Sequence, residues 1–410
     1  MSMHYYQLHQ VLKQLFESAG SLKKSEDLGI KISHHAFDSQ EGRYFLPGSN
    51  HLFCDHHQVG FKEHLLKQHS SLSDIESTDF SIECNTSFHY HIVQDLHQEQ
   101  AEGVVIMFHG LNEKKWDKYL PWAYEIAKQT KKAVLLFPIA FHMDRAPELW
   151  SSRQEMYIIS QNRTDTFPDN TDCSYVNAAI SSRLESNPQR IFWSGLQTYY
   201  DVIRLVYEIR KGTVPEISKH ASFDLFGYSI GSFLSMILMM ANPKNIFSNA
   251  KLFCFCGGMT IDRMYPISKY IMDSRAAIAM QTSFTELLNT DFKHDERLAH
   301  YQNSEYHKNE SWFKTMLRYN FFQKEREQRI GELQHQIKAF VLKQDRVTPP
   351  IEALNTLKGG YRDIDVPVQI EDFEHPYSHM IPFPLTIRNA EQVDASFNKF
   401  VTAVSEFLMD

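Results

Sequence analysis

Apolar and polar positions fall into blocks along this chain, and the period changes from block to block. Leu8, Val11, Leu12, Leu15 and Phe16 recur at helical spacing, and Gly20 stands where a C-cap would end that helix. From Ser21 to Ser77 the sequence is polar and rich in Ser, Gln and His, so an irregular segment is expected there. Phe80–Ser87 and Phe88–Gln94 alternate loosely, as half-buried strands do. Continuous apolar runs then follow one another at Gly103–Phe108, Ala133–Phe137, Phe223–Phe226, Leu252–Cys256, Lys338–Leu342 and Val366–Ile370. Runs of this kind mark strands covered on both faces of a sheet. Helical patterns separate them: Tyr119, Trp122, Ala123, Ile126 and Ala127 in one, Ser232–Ala241 in another, Ala390–Leu408 at the end. Strands alternating with helices predict an α/β fold, a mostly parallel central sheet with helices on both faces.

Two stretches break the alternation, and both begin just after a strand ends. Phe141–Gln189 carries Pro147, Trp150, Pro168 and Pro188 among polar residues; Thr260–Gln334 is charged and helical, with an apolar stripe of Trp312, Phe313, Met316, Leu317 and Phe321. The organisation expected is therefore an N-terminal helical and irregular extension, residues 1–79, ahead of one domain, residues 80–410. That domain has insertions at 141–189 and 260–334.

With 410 residues, 42% of them hydrophobic and 22% charged, the chain can bury a large core without staples. A net charge of −8 offers no electrostatic footprint for a nucleic-acid backbone, so no nucleic-acid partner is expected. The longest apolar stretch, Phe233–Ala241, falls short of the roughly 18 residues a membrane span needs, and no signal-peptide pattern opens the chain. A soluble, cytoplasmic protein without a membrane span is the expectation. Its five cysteines, Cys54, Cys84, Cys173, Cys254 and Cys256, are odd in number and scattered, which is no disulfide framework.

The sharpest local signal is Gly227–Tyr228–Ser229–Ile230–Gly231, set between a buried strand and a buried helix. A serine in that position occupies a tight strand-to-helix turn whose glycines let backbone pass close by, and its Oγ projects over the sheet edge at the positive end of the helix. Here the sequence resembles the α/β-hydrolase family, over roughly Phe80 to Asp410. The resemblance implies a helical cap on the α/β-hydrolase fold and a serine-esterase type of chemistry. It implies that His109–Gly110–Leu111, right after the Gly103–Phe108 strand, forms the oxyanion-hole loop, with the backbone N–H groups of Leu111 and Ile230 as donors. It further implies a triad acid after a late strand, where Asp345 precedes Val347 and Pro349; Asp262 is the rival, after the preceding strand. The base is expected beyond the last strand, at His379 or at His375. His379 is the better placed, whereas His375 precedes Pro376 and lies nearer the strand end. The order Ser, Asp, His is the one this fold uses.

The function so implied is hydrolysis of a carboxylic ester or related acyl bond through an acyl-enzyme, with a small-molecule acyl substrate and no metal or organic cofactor. A peptidase or acyltransferase on the same triad is the alternative, as is a non-catalytic binding protein of the same fold. Tyr228, His142 and Arg145 are candidate substrate contacts, and Trp150, Tyr157, Trp193, Tyr199 and Tyr200 are candidate pocket aromatics. At least one insertion is expected to cap Ser229. Cys54–Asp55–His56–His57 holds potential metal ligands, but without an HExxH or a paired Cys-x-x-Cys it reads as a surface run, and no metal site is expected.

Overall fold

The apolar runs become the strands of one sheet in the computed structural model, which describes residues 3–62, 75 and 78–409. In chain order the strands are β1 (Leu22–Ser25), β2 (Ile30–Asp38), β3 (Phe53–Cys54), β4 (Val59–Gly60), β5 (Ser87–Asp95), β6 (Ala101–Phe108), β7 (Ala133–Leu136), β8 (Ile217–Tyr228), β9 (Leu252–Phe255), β10 (Ile337–Leu342) and β11 (Val368–Glu371). Nine of them form a single sheet in the order β1-β2-β5-β7-β6-β8-β9-β10-β11. From β7 through β11 every neighbouring pair is parallel, while β1, β2 and β5 are joined antiparallel on the β7 side. This is the mostly parallel α/β sheet expected from the pattern.

Alternation within each strand divides the core into two layers. Val104, Ile106 and Phe108 of β6 face one layer with Trp193, Leu196 and Tyr199 of the helix Arg190–Lys211. Val105 and Met107 face the other, with Trp122 and Ile126 of Leu120–Thr130, Leu12 of Tyr5–Glu17, and Phe397 and Phe400 of Ala390–Met409. Burial on both faces is why these strands read as unbroken apolar runs.

Three expectations at the N-terminal side need correction. The Ser21–Ser77 segment is not simply irregular: β1 and β2 lie within it and extend the main sheet, with β2 paired along its whole length to β5. Ile30 and Ile32 keep the strand period, but His34 and His35 hide it, because the inward His34 is accommodated by a partner imidazole, Nδ1 to Nδ1 of His91 at 2.6 Å. Part of that segment, residues 63–74 and 76–77, lies outside the described residues. Second, Phe80–Ser87 is not a strand; it forms helical turns over Asp79–Ser81 and Glu83–Thr86, and β5 starts only at Ser87. The turn buries Asn85, whose side chain accepts from Phe141 N and Arg145 Nε and donates to Gln197 Oε1. Third, the first helix ends at Glu17 with Ser18 as its cap, ahead of Gly20.

The two interruptions are helical. Residues 141–189 contain Arg153–Thr166 and Ala178–Ser186, and residues 260–334 contain Ser274–Asn289, Glu296–Gln302, Trp312–Thr315 and Gln323–Glu332. Of the aromatics proposed for a pocket, Trp193 and Tyr199 are core and Tyr157 is solvent-exposed. No helix among the described residues is long and apolar enough to cross a membrane.

Candidate active site

Phe108 and Gly227 are register partners in the adjacent parallel strands β6 and β8, so the segments that leave these strands emerge side by side. They do so at the carboxyl edge, where connections diverge to opposite sides and open α/β sheets bind ligands. The first is His109–Gly110–Leu111. The second is Ser229, which stands between β8 and the helix Ile230–Ala241 with φ 56° and ψ −118°. A non-glycine residue at positive φ is strained. It is held there by close packing: a Cβ on Gly227 would lie 2.5 Å from the Ser232 backbone. Ser229 N also donates to Phe255 O at 3.1 Å, and Ser232 Oγ to Gly227 O at 2.6 Å.

Ser229 Oγ lies 2.9 Å from His379 Nε2, and His379 Nδ1 lies 2.7 Å from Asp345 Oδ2. All three side chains are buried. Asp345 follows β10 and His379 follows β11, so three strand ends supply one row of hydrogen-bonded groups. Asp345 Oδ1 accepts from Val347 N at 2.8 Å and Thr348 N at 2.9 Å, and Thr348 Oγ1 donates to Oδ2 at 2.6 Å. Burial alone would raise the Asp345 pKa, but the His379 charge and hydrogen bond together with the Thr348 donors outweigh it and hold the carboxyl below its usual value. With the carboxylate accepting from Nδ1–H, Nε2 is left as the acceptor facing Ser229.

The other candidates sit elsewhere. His375 is buried away from the serine, with Nε2 2.9 Å from Pro382 O and Nδ1 3.3 Å from Ser396 Oγ of the last helix. Asp262 accepts from Thr260 Oγ1 at 2.7 Å and Tyr319 N at 3.0 Å, anchoring the second insertion. Arg145 is fully buried and paired with Asp201 at 2.9 Å, so it contacts no ligand at Ser229. His142 Nδ1–H donates to Ala140 O at 3.0 Å, and the ring lines a neighbouring cavity together with Leu111 and Trp150. Burial pulls its pKa down to about 4. Tyr228 does line the cavity at Ser229; its ring stacks on His379 at 5.3 Å and its hydroxyl donates to the His379 carbonyl.

His109 shapes the loop. Its Nε2 accepts from Ile139 N at 2.9 Å, which leaves Nδ1–H to donate to Gly110 O at 2.8 Å. Complete burial keeps the ring neutral, with a pKa well below the usual one. Leu111 and Ile230 both line the cavity beside Ser229. Ile230 is the first residue of its helix, where backbone N–H groups have no acceptor within the helix.

Apart from Glu113, the remaining walls of that cavity are apolar and come largely from the second insertion: Ile261, Met264, Pro266, Ile271 and Met280. Its volume is about 20 Å³, enough for little more than one water. Sequence reasoning missed two residues here. Thr348 was signalled, three residues after an aspartate as in a side-chain-capped turn. Cys256 is buried beside Asp345; desolvation and then Asp345 push its thiol pKa far up and keep it protonated. No sequence signal marks it.

Among solved structures, the chain is similar to brefeldin A esterase, a bacterial homologue of human hormone sensitive lipase, at 10% identity and a TM-score of 0.47, over 98% of this chain and 82% of that one. It is similar to a thermostable esterase from Pseudomonas putida at 11% identity and a TM-score of 0.41, over 100% and 98%. Similarity to vibralactone cyclase stands at 11% identity and a TM-score of 0.42, over 98% and 85%. No curated protein sequence matches the chain. One family model does match, over residues 3–409, and by it the chain belongs to a family of unknown function (DUF6051).

Proposed function

We propose that this chain is a serine hydrolase of the α/β-hydrolase type that cleaves a carboxylic ester or a related acyl bond. The observation that carries the reading is the continuous hydrogen-bonded row Ser229–His379–Asp345, 2.9 and 2.7 Å, with the serine on a strained strand-to-helix turn. His379 Nε2 takes the Ser229 proton as Oγ attacks the carbonyl carbon, and Asp345 stabilises the imidazolium that forms. The N–H groups of Leu111 and Ile230 bind the oxyanion, each worth about 3 kcal/mol in comparable sites. Collapse expels the alcohol, protonated by His379, and leaves an acyl-enzyme. Water, deprotonated by the same histidine, then releases the acid. The small apolar cavity favours a short acyl group, and residues 260–334 act as the cap that must open for anything larger.

The test is covalent labelling with a fluorophosphonate probe and peptide mapping by mass spectrometry. The adduct is expected on Ser229, absent in Ser229→Ala and in His379→Ala. Failure of both the fluorophosphonate and a smaller sulfonyl fluoride to label well-folded protein overturns the reading.

A further inference from the structure

Cys54 and His57, expected in a surface run, turn inward from the β3–β4 hairpin, whereas Asp55 and His56 stay exposed. They meet His300, on the helix Glu296–Gln302, and His307, just beyond it in the second insertion. We infer that Cys54, His57, His300 and His307 form a four-coordinate zinc site that clips the hairpin to the 260–334 insertion. This cluster shares no residue with Ser229, Asp345 and His379, so the inference stands apart from the proposed hydrolase activity.

The geometry suits the ion. One donor atom from each residue lies within 4.8 Å of all the others. Cys54 Sγ is 3.4 Å from His57 Nδ1 and 3.5 Å from His307 Nε2. Zn–S and Zn–N bonds of about 2.3 and 2.0–2.1 Å at a tetrahedral angle put sulfur and nitrogen about 3.6 Å apart, and two nitrogens about 3.3 Å apart. The three imidazoles converge, with ring centroids 5.0, 5.0 and 4.8 Å apart. His307 turns its other nitrogen, Nδ1, toward Glu310 Oε2 at 3.4 Å, and Glu310 Oε1 accepts from Tyr200 OH at 2.7 Å. A carboxylate behind a histidine fixes the tautomer that presents Nε2 to a metal. Tyr306 stacks on His300 at 5.3 Å and Phe61 packs against it at 5.2 Å, so the ring is held in place.

A hydrogen-bonded cluster without metal accounts for less. His300 is 92% buried, being 8% exposed, yet its Nε2 has no hydrogen-bond partner among the described residues. A buried polar atom left unpaired is costly. A zinc ion would take one lone pair from each of the four groups, with the Cys54 proton released to solvent and no electron transferred. The donor set of one thiolate and three neutral imidazoles, without a coordinating carboxylate, suits zinc rather than magnesium or calcium. With four protein ligands the site is closed, as structural zinc sites are.

The test uses the full chain without an affinity tag, expressed with zinc in the medium. Elemental analysis is expected to give about one zinc per chain. Replacement by cobalt(II) is expected to give visible bands of tetrahedral intensity and a near-ultraviolet thiolate-to-metal band. Cys54→Ser and His300→Gln are each expected to lose the zinc and the cobalt spectrum, while His56→Gln keeps both. Chelation of the wild-type protein is expected to lower its melting temperature, and zinc to restore it. Folded wild-type protein with less than about a tenth of an equivalent of zinc and no thiolate–cobalt band overturns the site. So does stoichiometric zinc that survives in folded Cys54→Ser and His300→Gln. If those variants do not fold, the wild-type metal content and cobalt spectrum still decide.

Discussion

The Phe108 carbonyl oxygen lies where a side chain on Gly231 would begin: a Cβ there would be 2.5 Å from it and 2.8 Å from the His109 carbonyl oxygen. The serine turn and the loop after β6 are thus pressed backbone to backbone, and neither neighbour is a side chain able to rotate away. Gly231→Ala must push the loop and the helix Ile230–Ala241 apart. The expected cost is about 1–3 kcal/mol of stability, seen as a lower denaturation midpoint. Displacing the Leu111 N–H, the proposed oxyanion donor, is expected to lower kcat about 10²-fold or more with little change in KM. A variant of wild-type activity would show that the loop does not serve the serine.

The two histidines of the last loop are expected to separate cleanly. His379→Gln removes the group bonded to Ser229 Oγ and should abolish probe labelling. His375→Gln removes contacts to Pro382 O and Ser396 Oγ, so it should lower stability and leave labelling of the folded protein within a few-fold. Loss of labelling in folded His375→Gln would reverse the assignment of the base.

Thr348→Val tests the support of the acid. Its hydroxyl donates to Asp345 Oδ2 at 2.6 Å and lies 3.3 Å from His379 Nδ1. A hydrogen bond to a charged group contributes about 1.5–3 kcal/mol. Removing this one should lower kcat about 10- to 100-fold at unchanged KM, with Thr348→Ser restoring most of the loss.

These positions differ in how far the sequence exposed them. Val104, Val105, Ile106, Met107 and Phe108 are wholly apolar because both sheet faces are covered, so the run itself gives β6 away. Ser229 is legible because its turn needs Gly227 and Gly231 in a fixed register. His379 and Asp345 could be narrowed only to short loops, since which side chain of a loop reaches the serine depends on backbone path, not spacing. His34 and Asn85 misled, for each finds a polar partner far along the chain, His91 and Arg145. The pairing of Cys54 with His307 spans 253 residues and leaves no local pattern at all.

The cavity walls predict substrate range. Met264 and Met280 are buried and stand over Ser229 on the second insertion. Met280→Ala should enlarge a cavity of about 20 Å³ at a cost of about 2–5 kcal/mol in stability. The ratio of kcat/KM for hexanoyl over acetyl esters of one alcohol should rise, by about 10-fold if the new space takes up one or two methylenes. An unchanged ratio would place the acyl group in another part of the site.

Asp345 also sets a pH dependence whose sign is fixed by its environment. Its folded-state pKa lies below the usual 3.8, because His379 and Thr348 favour the carboxylate more than burial disfavours it. As pH falls, the unfolded chain therefore takes up this proton first. The stabilisation is fully present above the unfolded value and is lost as pH falls through the folded one. Asp345→Asn has no such proton to bind. The stability difference between wild type and Asp345→Asn should shrink below about pH 4, as read from urea unfolding at a series of pH values. A difference that did not shrink there would mean that the depressed carboxyl is not what distinguishes the two proteins. At neutral pH the same substitution should lower kcat about 10⁴-fold, since an asparagine leaves the histidine without its carboxylate and free to present the wrong tautomer to Ser229.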